Sequence, residues 1–407
     1  MDNNLAIHGG TPVRQQTLQY GKQTIDQSDK DAVLSVLDEN KFLTTGPKVI
    51  EFEEACKKYC GAKHALAVSS CTAALHCAMA SLDLKPTDEV IVSGISFVAS
   101  ANCVVYCGAT PVFCDIEENT MNIDPEKIES LINNNTRAII AVDFAGQLCD
   151  YDKIKSICKN HNLYLVQDAA HSWGISYNDK FAGNIADITT VSFHPVKNMT
   201  TCEGGMIFTN NTELYNKMKL FRSHGISTDF NEREKTGQLY SPMLTLGFHY
   251  RICDLLCALG INQLKNLPTW IQKRNELAEM YKIKINELNN KLGNIVEYLD
   301  NNTFNAYHIF VIKLDLNRFA CSDGRLFYRE QIFKAMKAEG IGVNIHYLPI
   351  YKHPYYQSLL KYKPKLDVCD KIYDSIITLP LYPSMNENDI NDVIFALHKV
   401  LYFYLSL

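Results

Sequence analysis

The stretch VSFHPVKNMTTCEGG, residues 191–205, joins an apolar run to a turn of small residues. The run ITTVSFH (188–194) predicts a buried strand, and an acid followed by two glycines predicts a tight return into GGMIFTN (204–210). Lys197 therefore stands just beyond the end of a strand. A lysine that is desolvated there has a lowered pKa and offers a neutral amine for Schiff-base chemistry. The alternative interpretation is an ordinary exposed surface lysine.

Short apolar runs continue in both directions from this stretch. Several are apolar nearly throughout, which is typical of strands covered on both faces, and helical segments lie between them. This alternation predicts an α/β large domain with a seven-stranded, mostly parallel sheet. The seven runs are HALAVSS (64–70), DEVIVSG (88–94), TPVFCDI (110–116), TRAIIAVDF (136–144), LYLVQDAA (163–170), ITTVSFH (188–194) and GGMIFTN (204–210).

The sequence changes character after Gly260. Residues 261–292 are charged and helix-periodic, and a helix of this length usually bridges two domains. Helical and strand-like segments of an α+β pattern follow it. We predict an N-terminal arm (1–19), a large domain (20–265) and a smaller C-terminal α+β domain (266–407).

Two terminal segments predict helices. The early segment SDKDAVLSVLDEN (28–40) predicts a helix capped by Ser28. The tail VIFALHKVLYFYLSL (393–407) is interrupted by His398 and Lys399. It predicts an amphipathic helix that docks on the protein, since a membrane helix needs about 18 consecutive apolar residues.

The overall composition narrows the function classes. The chain has 407 residues, of which 46% are hydrophobic and 21% charged, with a net charge of −5, which is typical of a soluble enzyme. The sequence has no Lys/Arg block of the kind that indicates nucleic-acid binding. The opening MDNNLAIHGGTPVRQQ (1–16) lacks the basic start and apolar core of a signal peptide, so we expect a cytoplasmic protein without membrane segments.

The 14 cysteines show no CxxC pairs. Cys103 with Cys107, and Cys253 with Cys257, are four residues apart and could share a helix face. A zinc site is one interpretation, but a second ligand pair of zinc-site spacing is missing. We predict buried free thiols and no metal.

Three further strand ends carry residues suited to a cofactor site. In SSCTAALHCAMA (69–80) a helix is predicted to start near Thr72, and a helix N-terminus binds phosphate; an ordinary N-cap is the alternative. Phe97 follows the second strand and could stack on a planar ring or simply pack in the core. Ser192, five residues before the lysine, could add a hydroxyl to a phosphate cup.

The third strand end is VQDAAHSWG (166–174). Asp168 ends an apolar run, where an unpaired carboxylate is costly to bury, so it is predicted to face a cation or a strong donor. His171 follows three residues later on the same side. The alternative makes Asp168 a helix cap and His171 a satisfied polar residue.

Together, these features are the components of a pyridoxal phosphate site. An activated lysine links to the cofactor, a carboxylate holds the pyridine nitrogen protonated, an aromatic ring stacks, and a polar cup binds phosphate. No GxGxxG motif follows the first strand, which disfavours a dinucleotide site.

The order of the motifs resembles fold type I aminotransferases of the DegT/StrS sugar-aminotransferase group, from Tyr20 to about residue 400. The stretches that carry the resemblance are FLTTGPKVIEFE, VSSCTAALH, ISFVASANCVVYCGATPVFCDI, NIDPEKIE, VDFAGQLCD, DAAHSWG, SFHPVKNMTTCEGG, KLFRSHGI, YRICDLLCALGINQL, NIHYLPIYKHPYYQ and LPLYPSM. Within the family, YGKQTID, SFHPVK and VNIHYLPIYKHPYYQ are most similar to the branch that acts in pseudaminic acid biosynthesis.

The resemblance implies a role for each matching residue. Lys197 is implied to form the Schiff base with pyridoxal phosphate, Asp168 to pair with the pyridine nitrogen and Phe97 to stack on the ring. The remaining implied cofactor or phosphate contacts are His171, Cys71, Thr72, Ser192 and His249, the last reaching a neighbouring subunit. The implied substrate contacts are Tyr20, Lys41, Phe42, Leu43, Thr44, Asn344, Ile345, His346 and Tyr347.

The resemblance also implies the reaction. It is amino transfer from L-glutamate, which leaves 2-oxoglutarate, to C4 of a UDP-linked 4-keto-6-deoxy sugar, in a homodimer with shared active sites. The chain departs from the family pattern at Cys202, at His249 in GFHYR, and in the opening LAIHGGTPVR. Alternatives are another keto sugar (perosamine, viosamine or bacillosamine type), a dehydrating relative, which would carry histidine in place of Lys197, and a non-catalytic sensor.

Overall fold

The seven predicted strand segments are confirmed as strands of one sheet. The computed structural model describes residues 4–227, 233, 237, 239–299, 305–319, 329–360 and 362–406. Within these ranges the strands of this sheet are β1 (His64–Val68), β2 (Glu89–Ser93), β3 (Thr110–Cys114), β4 (Thr136–Val142), β5 (Tyr164–Asp168), β8 (Ile188–Ser192) and β9 (Gly205–Thr209). A separate two-stranded hairpin consists of β6 (Ser176–Tyr177) and β7 (Lys180–Phe181).

The spatial order of the sheet is β1-β9-β8-β5-β4-β2-β3. Strand β9 runs antiparallel to both neighbours, whereas the pairs β8–β5, β5–β4, β4–β2 and β2–β3 are parallel. Because β1 and β8 are both antiparallel to β9, β1 runs parallel to the other five strands. The carboxyl ends of all strands except β9 therefore lie along one edge, where α/β sheets bind ligands.

Helices cover both faces of the sheet, because successive side chains of a buried strand point to opposite sides. In β4, Ile140 packs in the cluster that contains helix α3, whereas Ile139 packs in the cluster that contains α6. The helices of the large domain are α1 (Gln27–Glu39), α2 (Pro47–Cys60), α3 (Cys71–Ser81), α4 (Ala99–Tyr106), α5 (Pro125–Ile128), α6 (Tyr151–His161) and α7 (Thr212–Arg222).

The predicted long helix is α8 (Asp254–Leu292), with 39 residues. It runs through the proposed domain boundary at residue 266, which stays a prediction. From Leu277 onward its buried residues join a second hydrophobic cluster with a three-stranded antiparallel sheet. This part contains β10 (Val296–Tyr298), β11 (Phe310–Leu314), β12 (Ile376–Leu379), α9 (Arg329–Ala338), α10 (Pro354–Leu359), α11 (Asp367–Ser375) and α12 (Glu387–Leu405).

Helix α12 contains most of the predicted C-terminal helix, and it docks as expected. Val393, Leu397 and Val400 lie on its buried face, in the second cluster. Among the described residues, no helix combines the length and apolarity needed to span a bilayer.

The N-terminal arm is attached to the C-terminal part of the chain through Glu339. The buried carboxylate of Glu339 accepts bonds from the backbone N–H groups of Ala6 and Val13 at 2.9 and 3.1 Å.

The prediction that Ser28 caps α1 is wrong. The cap is Asp26, whose side chain accepts a bond from the Asp29 N–H, while Ser28 donates its hydroxyl to Asp26. An acceptor two residues earlier therefore outcompetes the serine.

Candidate active site

A cavity of about 490 Å³ opens at the carboxyl edge of the sheet. This volume is typical of a site for a cofactor and a small substrate. The described residues that line it come from strand ends, the first turns of helices α3 and α4, and segments near both ends of the chain: Tyr20, Ser70, Cys71, Thr72, Leu75, Ser96, Phe97, Ala99, Ser100, Val142, Phe144, Asp168, Ala170, His171, Ser192, His194, Val196, Lys197, Glu203, His308, Asn344, Ile345, His346 and Tyr347.

Lys197 lies in the connection between β8 and β9, and its backbone N–H donates to the carbonyl of His194 at 2.9 Å. Burial lowers the pKa of its amine from 10.5 to about 8, against the opposing influence of Cys71 and Asp168. Its Nζ lies 3.4 Å from Nε2 of His308. The amine therefore faces the cavity with an appreciable neutral fraction near neutral pH.

Asp168 is the last residue of β5 and is 5% exposed. Its carboxylate accepts a bond from Ser100 Oγ at 2.8 Å and from the backbone N–H of Ala170 at 3.2 Å. Burial raises its pKa, while these bonds and the nearby Lys197 work in the opposite direction. The carboxylate is thus fixed by two donors and lies in the same cavity as the lysine.

The N-terminus of α3 also faces the cavity. The helix begins at Cys71, and its cap is Ser70, whose hydroxyl accepts a bond from the Ala73 N–H at 3.1 Å. The predicted start near Thr72 was one residue late, and Thr72 lies in the first turn rather than at the cap. With Ser192 on the neighbouring wall, this helix end offers hydroxyl and N–H groups to an anion.

His171 is buried and held from both sides of its ring. Its Nδ1 accepts a bond from the backbone N–H of Ala145 at 3.2 Å, so the proton of the neutral ring is on Nε2. That nitrogen lies 3.3 Å from the Tyr347 hydroxyl. Burial, followed by the charge of Lys197, lowers the pKa of His171 well below its ordinary value. The ring is therefore neutral and fixed in orientation.

The mouth of the cavity is lined by aromatic and amide side chains. The Phe97 ring is 56% exposed and lies 6.0 Å from the Tyr347 ring. The Tyr20 ring lies 5.6 Å from the His346 ring, and Asn344 Nδ2 lies 3.4 Å from His346 Nε2. These residues come from three distant parts of the chain and meet at one opening.

Two predicted sets do not line this cavity. Residues 41–44 are exposed, and their segment is attached through the Leu43 carbonyl, which accepts the Asp254 N–H at 3.0 Å. His249 is also exposed, and its ring lies 5.4 Å from that of His224. A contact of either set with bound ligand would need a second copy of the chain or a larger ligand.

Two residues that the sequence did not single out contact the central groups. His308 precedes β11 and faces the lysine, and Ser100 in α4 donates to Asp168. His308 lies 111 residues from Lys197 in sequence, and only the packing of the small domain brings it there. The only sequence signal for Ser100 was its position, because it lies about one helical turn after Phe97, which follows the end of β2.

The cysteines do not form a metal centre within the described ranges, where no group of three or more His, Cys, Asp or Glu residues could hold an ion. Cys103 and Cys257 are fully buried thiols as predicted, whereas Cys107 and Cys253 are only half-buried.

Pyridoxal phosphate fits the residues that are present. Lys197 would provide the amine for its carbonyl carbon, the fixed Asp168 carboxylate would complement a protonated pyridine nitrogen, and the end of α3 with Ser192 would bind its phosphate. The buried carboxylate is the deciding feature, because Asp168 at the end of a strand gains a cationic partner on binding.

Comparisons with known proteins agree with this geometry. The model of the DegT/DnrJ/EryC1/StrS aminotransferase family matches residues 23–398. The spore coat polysaccharide biosynthesis protein SpsC of Bacillus subtilis is 37% identical, over 95% of this chain and 98% of that protein. The UDP-4-amino-4,6-dideoxy-N-acetyl-beta-L-altrosamine transaminase of Campylobacter jejuni is 38% identical, over 93% and 96%.

The fold agrees as well. The structure of Helicobacter pylori PseC, an aminotransferase involved in pseudoaminic acid biosynthesis, superposes with a TM-score of 0.86 at 34% identity, covering 96% of this chain and all of that one. The protein therefore has the fold type I architecture and is a pyridoxal phosphate-dependent enzyme, and the chain belongs to the DegT/DnrJ/EryC1/StrS family of sugar aminotransferases.

Proposed function

We propose that the enzyme transfers an amino group from L-glutamate to C4 of a UDP-linked 4-keto-6-deoxy sugar, as in pseudaminic acid biosynthesis. The observation that carries the proposal is the Lys197 amine, with its pKa lowered to about 8, in one cavity with the fixed Asp168 carboxylate. The similarity to relatives named as altrosamine transaminases supports this sugar class. A cytoplasmic location is part of the proposal.

Pyridoxal phosphate, when bound, supplies an electron sink for a carbanion at the donor's Cα. Lys197 would act first as the base that removes the proton from this Cα and then as the acid that gives the proton back. At pH 7, a pKa near 8 leaves roughly a tenth of such an amine neutral when it is free. Asp168 would hold the pyridine nitrogen of the cofactor in its protonated form. Reversal with the keto sugar completes a ping-pong cycle.

The mouth residues orient the sugar. The hydroxyls of Tyr20 and Tyr347 and the amide of Asn344 are the polar groups available there, and Phe97 provides an exposed ring face. His171, His308 and His346 are all neutral because burial lowers each pKa. Among the described residues that line the cavity, Lys197 is thus the single cation. The negative charges of the cofactor phosphate and of the donor's carboxylates would therefore need further cationic partners.

We propose that a second copy of the chain supplies these partners. In the exposed segment 239–249, five apolar side chains are at least 64% exposed: Leu239, Tyr240, Met243, Leu244 and Leu246. Apolar exposure on this scale marks an interaction surface. His249 ends the segment, so a homodimer that buries it could deliver this imidazole to the phosphate of the partner's site.

The donor and acceptor are tested with a panel of nucleotide-linked keto sugars, each incubated with L-glutamate and the purified enzyme and followed by mass spectrometry. The UDP-linked 4-keto-6-deoxy sugar should gain one amine and should be preferred at least tenfold in kcat/KM, a discrimination expected of a site with several polar contacts. Preference for a perosamine-, viosamine- or bacillosamine-type precursor would replace the substrate and leave the enzyme class intact.

The role of the lysine is tested with Lys197→Ala and the charge-preserving control Lys197→Arg. Both should lose the visible absorbance of the linked cofactor and nearly all turnover, because neither side chain forms a Schiff base. Undiminished turnover in either variant would contradict the assignment. A sensor without activity would stay yellow in glutamate, whereas an aminotransferase is bleached by it.

A further inference from the structure

A second, much smaller void, like the cavity, is lined in part by Lys197. Its volume is about 10 Å³, and it is bordered by residues 22–24, the lysine turn, helix α8 and Pro383. A space of this size holds about one water molecule. Because Lys197 borders both spaces, whatever occupies the void bears on the position of the lysine.

Three residues that border the void carry buried polar atoms without a hydrogen-bond partner among the described residues. These atoms are Thr24 Oγ1, Asn198 Oδ1 and Arg274 Nε. Asn198 is 4% exposed and Arg274 is 1% exposed. Buried polar atoms in native proteins are almost always paired, with protein or with ordered water, so three at one void indicate a shared partner.

The orientation of each group is fixed by its other bonds. Asn198 Nδ2 donates to the carbonyls of His171 and Trp173 at 3.1 and 3.0 Å, so the remaining amide atom is the acceptor. Arg274 Nη1 donates to three carbonyls, those of Tyr307 at 3.0 Å, His308 at 3.2 Å and Leu381 at 3.0 Å. Its Nε can only donate.

The chemistry of the three atoms selects the ligand. It must accept from Arg274 Nε and donate to Asn198 Oδ1, while the Thr24 hydroxyl does either. A metal cation cannot accept from an N–H group, and chloride cannot donate to an amide oxygen. Water does both and makes about three bonds in buried sites.

We propose that this void is a binding site for one ordered water molecule, bonded to Thr24, Asn198 and Arg274, and that this water positions the turn that carries Lys197. Gln263 already joins the same elements, donating to the Thr24 carbonyl at 3.0 Å and accepting from the Thr200 N–H at 3.2 Å. The water adds a link from Thr24 and Arg274 to Asn198, the residue next to the lysine.

The consequence for the cofactor rests on the proposed function, because it matters only if Lys197 is the linked residue. Asn198 holds the backbone of His171 and Trp173, which follows the Asp168 strand. A fixed Asn198 amide therefore keeps the lysine turn in register with the carboxylate across the cavity.

The site is tested by a high-resolution crystal structure of the holoenzyme. We expect a density peak about 2.7–3.2 Å from all three atoms. An Asn198 Oδ1 that accepts directly from Arg274 Nε, or a void without density, would overturn the water site. This result does not depend on activity, so it is separate from the Lys197→Ala test of the proposed function.

The positioning role is tested with Thr24→Val, which replaces the hydroxyl by a methyl group of similar size, and Thr24→Ser as the matched control. Thr24→Val should release the cofactor several-fold faster, as followed by the loss of its absorbance on dilution into phosphate buffer, whereas Thr24→Ser should match the wild type. Circular dichroism checks that both variants fold. Equal release rates in all three proteins would overturn the positioning role.

Discussion

The floor and the rim of the cavity are built in different ways. On the floor, Asp168 and His171 are each held by fixed hydrogen bonds from the same chain, and both are nearly fully buried. The rim is the exposed surface outside the cavity lining, where residues 41–44 and the segment 239–249 turn apolar side chains to solvent. The floor lies within one chain, whereas the rim is the surface that the proposed dimer would bury. Function should therefore fail in different ways when each is changed.

The largest effect is expected on the floor, from Asp168→Asn. The amide is nearly isosteric but cannot hold the pyridinium proton, so kcat should fall by about 10³-fold, as for other buried electrostatic contacts in active sites. Steady-state kinetics with the preferred sugar measures this loss. Ser100→Ala, which removes one donor and keeps the carboxylate, should cost only about tenfold. An asparagine variant within tenfold of the wild type would show that the floor does not depend on this charge.

Beneath the floor, Asp143 should give a distinct pH dependence of stability. It is fully buried, and burial raises its pKa from 3.8 to about 6 despite bonds from Ser172, Tyr151 and Gln167. The protonated form is favoured in the fold, so its stabilising contribution is complete below pH 3.8 and is lost as the pH rises through about 6.

The difference between the wild type and Asp143→Asn isolates this contribution. Relative to the variant, the wild-type free energy of unfolding should fall by about 2 kcal/mol between pH 4 and pH 7. Urea denaturation at a series of pH values measures it. A difference between the two proteins that stays constant with pH would contradict the raised pKa.

On the rim, Leu246→Glu should act through association. Leu246 is 73% exposed in the single chain, so the charge should barely affect folding, but it would be buried in the proposed dimer. We expect dimer affinity to fall about 100-fold or more, and turnover to fall with it at low protein concentration. Sedimentation velocity gives the affinity. Ile283→Glu, at an exposed position of α8, is the control and should leave the dimer intact.

The smallest effect is expected where rim and floor meet, from Tyr347→Phe. Its hydroxyl contacts His171 Nε2 at 3.3 Å, and its ring approaches Phe97. Loss of one hydrogen bond should raise the KM for the sugar by about five- to tenfold with little change in kcat. A large fall in kcat instead would place the hydroxyl among the groups that act on the reacting atoms.

The sequence predicted the floor better than its surroundings. Lys197 and Asp168 could be singled out because an unpaired charge is costly to bury, and the end of an apolar strand is where α/β sheets bind ligands. The helix caps were less predictable, because the residue that caps a helix can lie one or two positions from the expected one. Ser70 rather than Thr72 caps α3, and Asp26 rather than Ser28 caps α1. His308 was not predictable, because its contact with Lys197 joins residues 111 positions apart in the sequence.

The antiparallel return of β9 has one more consequence. The connection that carries Lys197 leaves β8 and re-enters the adjacent strand, and it is closed at its base by the Phe193 N–H, which donates to the Gly204 carbonyl at 2.9 Å. A loop tied at both ends to the same sheet has little freedom to swing. The amine of Lys197 can therefore move only by rotation about the bonds of its own four methylene groups, which would keep it within reach of a cofactor bound in the cavity.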